Sequence, residues 1–262
     1  MRRYLYLFWI RLRASLATAM QYRVNFLVDG VISLWWMLWT LVPLVVVFGA
    51  RDSVAGWTFP EALLVAAWFT LLRGVLEGAI NPSLIAVADH IRVGTLDFVL
   101  VKPADAQFLV STAAFQPWKV FDLFASVAMA VYAFTMIGRA PAFLHVVTAL
   151  VLLLAAVLIL YSIWIMAVSA AFWVVRLDNL AYLFGSIFDA ARWPLDVFRG
   201  GWKLVFTFII PLGLMTTFPA RALLGTLSPQ AAALTFGGAM FFAAVARFVW
   251  IRALGHYTSA SS

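Results

Sequence analysis

The chain has 262 residues, of which 65% are hydrophobic and only 11% charged. Soluble domains run to about 45–50% apolar and about 25% charged residues, so a fold solvated by water alone is excluded and lipid is required. The formal net charge of +7 then reads as loop charge held on the cytoplasmic side rather than as a nucleic-acid surface, and the absence of Cys excludes disulfides and thiolate metal sites.

Residues 1–25 contain Arg2, Arg3, Arg11, Arg13 and Arg23. That is too much charge for a span, and the segment is expected to be a loosely amphipathic helix on the inner membrane surface. No small-residue cleavage site follows an apolar core, which argues against a cleavable signal peptide. A hydrocarbon core of about 30 Å needs roughly 20 apolar helical residues. Residues 26–48 qualify, with Asp29 as their single charge, and residues 61–80 qualify while carrying Arg73 and Glu77. Residues 120–137 form a shorter third span with Asp122 near its start. The uncharged run 143–175 is too long for one upright span and is expected to tilt or project. Residues 180–197 are a more polar fifth candidate, and 231–251 close the series. Between these two, the uncharged stretch 204–220 contains Pro211 and Pro219, which break a helical ladder twice. It is expected to be a re-entrant hairpin, within 200–225, shielded by protein; a seventh span is the alternative. The expected fold is all-α: one polytopic transmembrane domain over 1–262, with six transmembrane helices, an N-terminal interfacial helix and a hairpin before the last span.

With six spans and an inner N-terminus, Arg2, Arg3, Arg11, Arg13, Arg23, Arg92, Lys102, Lys119, Arg176, Arg247 and Arg252 fall inside. Arg51, Arg139, Arg192, Arg199, Lys203 and Arg221 fall outside, so the basic residues favour both termini in the cytoplasm. The connection 82–118 is then the longest cytoplasmic loop. It opens on Asn81 as a helix cap and Pro82 at the first helical position. Leu84, Val87, Ala88 and Ile91 make one apolar stripe, Asp89, His90 and Arg92 lie off it, and Gly94 ends the helix. Such a helix would lie flat with its charged side toward the cytosol.

Within this loop, "GTLDFVLVKPAD" (94–105) is similar to the G-x-L-D-x-x-L-x-x-P pattern of one bacterial branch of the ABC-2 type transporter permeases. "IIPLGLMTTFPARALLG" (209–225) resembles the I-P-L…P-A…L-L-G segment of the same branch, and the order of elements resembles that family over essentially the whole chain. The resemblance implies an exporter-like permease subunit in a bacterial inner membrane, paired with a second permease subunit and two ATP-binding cassette ATPases. It implies a coupling helix in the first cytoplasmic loop, falling here on 82–102, with Asp89, His90, Arg92, Asp97 and Lys102 as ATPase-coupling candidates. Arg176 and Asp178 mark a smaller second contact. The chain has no G-x-x-x-x-G-K-[ST] phosphate cradle, so no cofactor is expected on it; ATP and Mg would belong to the partner ATPase.

Charges within spans cost roughly 2.5–3.5 kcal/mol each on insertion scales and need partners. Arg73 and Glu77 are four apart and can pair. With Asp29 at a comparable depth in the first span, an Asp29–Arg73–Glu77 cluster is expected, structural rather than transporting. Asp189, Arg192, Asp196 and Arg199 are spaced 3, 4 and 3, which places them on one face of a helical fifth span, kinked at Pro194. They read either as a self-neutralised ladder or as the lining of a translocation path. Trp35, Trp36 and Trp39 read as lipid or dimer packing. An intramembrane enzyme is disfavoured: Ser186 lacks a glycine-serine setting, His145 lies near an outer span end, and there is no Asp cluster for metal. A self-contained secondary transporter or channel is the main rival, but no internal repeat supports it.

Overall fold

The computed structural model describes residues 2–173 and 178–257. Helix α1 (Arg2–Gln21) buries no side chain, and it breaks at Tyr22 before α2 (Arg23–Gly49). At 27 residues, or about 40 Å, α2 is long enough to cross a bilayer, yet its buried residues are only Gly30, Ser33 and Leu44. Gly30 is where α2 touches its neighbour: a Cβ there would run into the Phe121 ring.

A short ribbon of β1 (Ser53–Val54) against β2 (Trp57–Thr58) leads into α3 (Phe59–Val75). The Glu61 carboxylate accepts from the Thr58 backbone N–H at 2.9 Å and from its hydroxyl at 2.8 Å, closing the first turn of α3. Helix α3 contributes a continuous run to the core, with Ala62 through Thr70 buried. It does not stop at Ile80. A π-helical turn, Leu76–Ile80, carries it directly into α4 (Asn81–Val93), and the apolar helical stretch runs over Phe59–Ile91, 33 residues. The wider π turn accommodates Pro82, whose ring would clash with the preceding turn of a regular α-helix. Two expectations are therefore corrected: Asn81 lies within the helix rather than capping it, and α4 does not lie flat as a separate helix. Leu84 and Val87 are buried in the larger core cluster with Ile159 and Trp164.

Beyond α4 come two short helices, α5 (Asp97–Leu100) and α6 (Ala106–Ser111), then a 3₁₀ turn, Pro117–Lys119, and α7 (Val120–Ile137). Helix α8 (Phe143–Ser169) is 27 residues long and ends in a 3₁₀ turn, Ala170–Phe172.

The fifth span expected over 180–197 is corrected. Helix α9 (Asp178–Phe188) has 11 residues, about 16 Å, too short to cross. The chain continues as two 3₁₀ turns, Asp189–Arg192 and Leu195–Val197, with extended backbone at Trp193, Pro194 and Phe198. Pro194 disfavours the helical region for Trp193 and removes a donor, so helix cannot propagate past it.

After α10 (Gly201–Leu204) and a π-helical turn, Val205–Ile209, the chain bends at Pro211. It resumes as a second π turn, Gly213–Thr217, and α11 (Phe218–Leu224). The two arms meet at 71°, a broken span or a re-entrant loop. Gly213 through Thr217 are all buried, so the irregular backbone is covered by protein, as a membrane core demands. Helix α12 (Pro229–Leu254), capped where the Ser228 hydroxyl accepts from the Ala231 N–H at 3.2 Å, completes the chain. Among the described residues five helical stretches are long and apolar enough to cross a membrane, and the bent pair makes a sixth crossing if it spans. The protein is an all-α polytopic membrane protein.

Candidate functional site

The α4–α7 connection forms one end of the bundle. Helix α4 closes with two backbone bonds, Thr95 N to His90 O at 2.9 Å and Gly94 N to Ile91 O at 3.3 Å. That is the Schellman pattern, and it needs the left-handed Gly94 (φ +73°). His90 is spent here as well, its Nδ1 lying 2.8 Å from the Thr95 hydroxyl. Leu96 then plugs fully into the core, which turns the next residues outward: Phe98 is 71% and Val101 78% exposed, with Val93 beside them at 62%. Asp89 and Lys102 are exposed and Asp97 half-buried on the same turn. The Arg92 side chain, Arg176 and the Asp178 side chain lie outside the described residues. Sequence reading selected the charges and passed over Phe98 and Val101; the missed signal is an apolar pair at i, i+3, Phe98 on a four-residue helix too short to bury both faces and Val101 at its C-cap.

The returning arm of this loop is fastened to three helices. Asp105 caps α6 through the Phe108 N–H at 3.0 Å, and Arg247 of α12 donates to its Oδ2 at 2.9 Å. Burial by itself would raise the Asp105 pKa, but the Phe108 N–H and the Arg247 guanidinium outweigh it, so the carboxyl is held below its ordinary value. Arg247 also donates to Gln107 Oε1 at 2.7 Å, and Gln107 donates to the Tyr161 hydroxyl of α8 at 2.9 Å. From α1, the Tyr4 hydroxyl accepts from the Asp105 N–H, and Arg11 donates to Leu109 O and to Thr112 Oγ1. Apart from the Asp105 cap, none of these contacts is local in sequence, so periodicity gave no hint of them.

Deeper in the bundle lies an ion-pair network. Arg73 Nε donates to Glu77 Oε1 at 2.8 Å, one helical turn apart. Asp29 does not join them: among the described residues it has no ion pair and lines, with Trp36 and Thr40, a cavity of about 230 Å³ against which the network sits. Lys119 and Asp122 take the place expected for it. Lys119 Nζ pairs with Glu77 and with Asp122 Oδ2 at 3.2 Å, and it donates to Ser33 Oγ at 3.0 Å, which in turn donates to Asp122 Oδ1 at 2.6 Å. Asp189 links to Arg73 at 3.5 Å and to Arg192 at 3.5 Å. Arg73, Lys119 and Arg192 thus balance Glu77, Asp122 and Asp189, which is what membrane burial requires.

The expected Asp189–Arg192–Asp196–Arg199 stripe is also corrected, because the helix that would align it ends at Phe188. Asp189 and Arg192 face the network just described. Asp196 lies at the opposite end of the bundle, where its carboxylate accepts from Arg221 at 2.6 Å, Lys203 at 3.0 Å and the Trp57 indole at 3.1 Å. Arg199 is exposed and has no ion pair among the described residues. No three His, Asp or Glu side chains among the described residues converge as metal ligands would.

Apolar helices with balanced internal charge, a loop fastened to three of them and a proline-broken buried pair make up the described membrane bundle. A family profile described as "ABC-2 family transporter protein" matches residues 34–261. The chain belongs to that family. This ABC-2 member is therefore a multi-pass membrane permease of an ABC transporter, a transport component that associates with ABC ATPases. No curated protein and no solved structure gives a match.

Proposed function

We propose that this permease forms the translocation path of a bacterial inner-membrane exporter and receives the force of ATP hydrolysis through the turn at 94–102. In this reading two ATPase subunits, which carry ATP and Mg, dock beneath a pair of permease subunits whose termini face the cytoplasm. Phe98 and Val101 enter the ATPase cleft as the apolar anchors. Asp89, Arg92, Asp97 and Lys102, with the polar His90, form the rim that sets partner choice and encounter rate. The observation that carries it is the pairing of opposites on one turn: Leu96 is fully buried while Phe98 and Val101, two and five residues on, are the most exposed apolar side chains of the loop. A segment anchored so firmly to α1, α8 and α12 would pass a push at Phe98 into the bundle. We assign the charges at Asp189, Arg192 and Asp196 a structural role, since each is paired.

The test is affinity purification of the full chain from its host membrane in mild detergent. An ATP-binding subunit should come with it, and its hydrolysis should depend on the permease. Phe98→Ala should weaken that association by about 2 kcal/mol, about thirtyfold, with the permease still folded. Retention of wild-type affinity, or purification without any ATPase, would overturn the assignment.

A further inference from the structure

At the end of the bundle opposite the 94–116 loop, a cavity of about 580 Å³ opens between α3, α7 and α8, closed above by Leu223 of α11. Its walls are Leu64, Ala67, Trp68 and Leu71 on one side and Ala130, Phe134 and Ala149 on the others. The rim residues Val127, Val131 and Leu150 are exposed, so the opening is lateral, toward hydrocarbon rather than water. An apolar cavity of this size left empty forfeits the dispersion contacts of every lining atom, whereas acyl chains are the local solvent.

The polar groups on the lining are few and nearly all spent. The Ser126 hydroxyl donates to Leu123 O and the Thr135 hydroxyl to Tyr132 O, each at 2.7 Å within its own helix. Two groups are exceptions: the Trp68 indole N–H is buried in the wall without a hydrogen-bond partner among the described residues, and Arg139 lies in the turn after α7. Among the described residues its one hydrogen bond is a 3.5 Å contact from Nη2 to Leu224 O, which leaves most of its five donors unspent at the mouth. An apolar volume with one largely unspent guanidinium at its mouth is complementary to an acyl chain ending in a phosphate.

We propose that this cavity holds one acyl chain of an anionic phospholipid from the leaflet at that end, with the headgroup phosphate taken by Arg139. The site holds its lipid whether or not an ATPase is docked. The full-length chain should be reconstituted in vesicles of equimolar phosphatidylglycerol and phosphatidylcholine, extracted in mild detergent and weighed by native mass spectrometry. Wild type should retain one phospholipid, with phosphatidylglycerol preferred about fivefold, the scale of one basic side chain beside anionic lipid. Arg139→Gln should retain a lipid but lose the preference; Ala130→Phe, which fills the cavity, should retain none. If Ala130→Phe fails to fold, Ala130→Leu serves in its place. The proposal is overturned if wild type retains no lipid or shows no headgroup preference, if Arg139→Gln keeps the preference, or if the filled variant still carries a lipid.

Discussion

Lys119 offers the most direct test of how the bundle tolerates its internal charge. Its side chain is 8% exposed and that of Asp122 5%, so both groups are desolvated and depend on one another. Lys119→Met keeps length and apolar stem while deleting the cation. Glu77 still has Arg73 at 2.8 Å, but Asp122 is left with the Ser33 hydroxyl alone. Breaking a buried pair by removing one partner costs about 3–5 kcal/mol, and the rescue of Glu77 by Arg73 places the expected loss near the lower bound, about 3 kcal/mol. Asp122→Asn in the same chain removes the stranded charge while keeping the shape, and should recover about 2 kcal/mol, a coupling within the range for groups in one network. The assay is reversible unfolding of the full chain in mixed micelles, completed as a double-mutant cycle with both single variants. A Lys119→Met variant within about 0.5 kcal/mol of wild type, or a double variant that falls by the sum of the singles, would refute the reasoning.

Asp105 carries a pH signature. Because its folded pKa lies below the ordinary value of 3.8, the stability it contributes is fully present at neutral pH and is lost as pH falls below 3.8 through the folded value. Asp105→Asn should therefore expose the 94–116 loop to limited proteolysis about fivefold faster at pH 7, the scale of one helix cap, and the wild type should approach the variant only as pH falls below 3.8. Gly30→Leu should push the Phe121 ring aside and destabilise the α2–α7 contact by about 1–3 kcal/mol, with a loss of disulfide trapping between cysteines placed on the two helices.

How much of this was legible in the chain divides along a physical line. Arg73 and Glu77 lie one turn apart, and their pairing follows from helix geometry alone. Gly94 was readable as a stop because a left-handed cap is a local need that Gly meets most cheaply. The failures share one cause. Asn81–Pro82 carries a strong helix-start signal, yet the buried Leu84 and Val87 hold α4 in line with α3, and tertiary packing outweighed the local cue. The 3-4-3 spacing from Asp189 to Arg199 is a face only while the helix lasts, and Pro194 together with long-range partners at Arg73 and Trp57 divides it.

Composition and apolar run length by themselves determined that the chain lives in lipid, that it is helical and roughly where it crosses, because a bilayer leaves the backbone no other way to satisfy its hydrogen bonds. Beyond the one-turn pair Arg73–Glu77, which charge answers which was decided only in the folded bundle. Lys119, reaching back to Glu77, rather than Asp29 completes the buried network, Arg247 reaches back to Asp105, and Phe98 is turned outward because Leu96 is locked into the core; each depends on residues tens of positions apart meeting in space, where desolvation makes a partner obligatory.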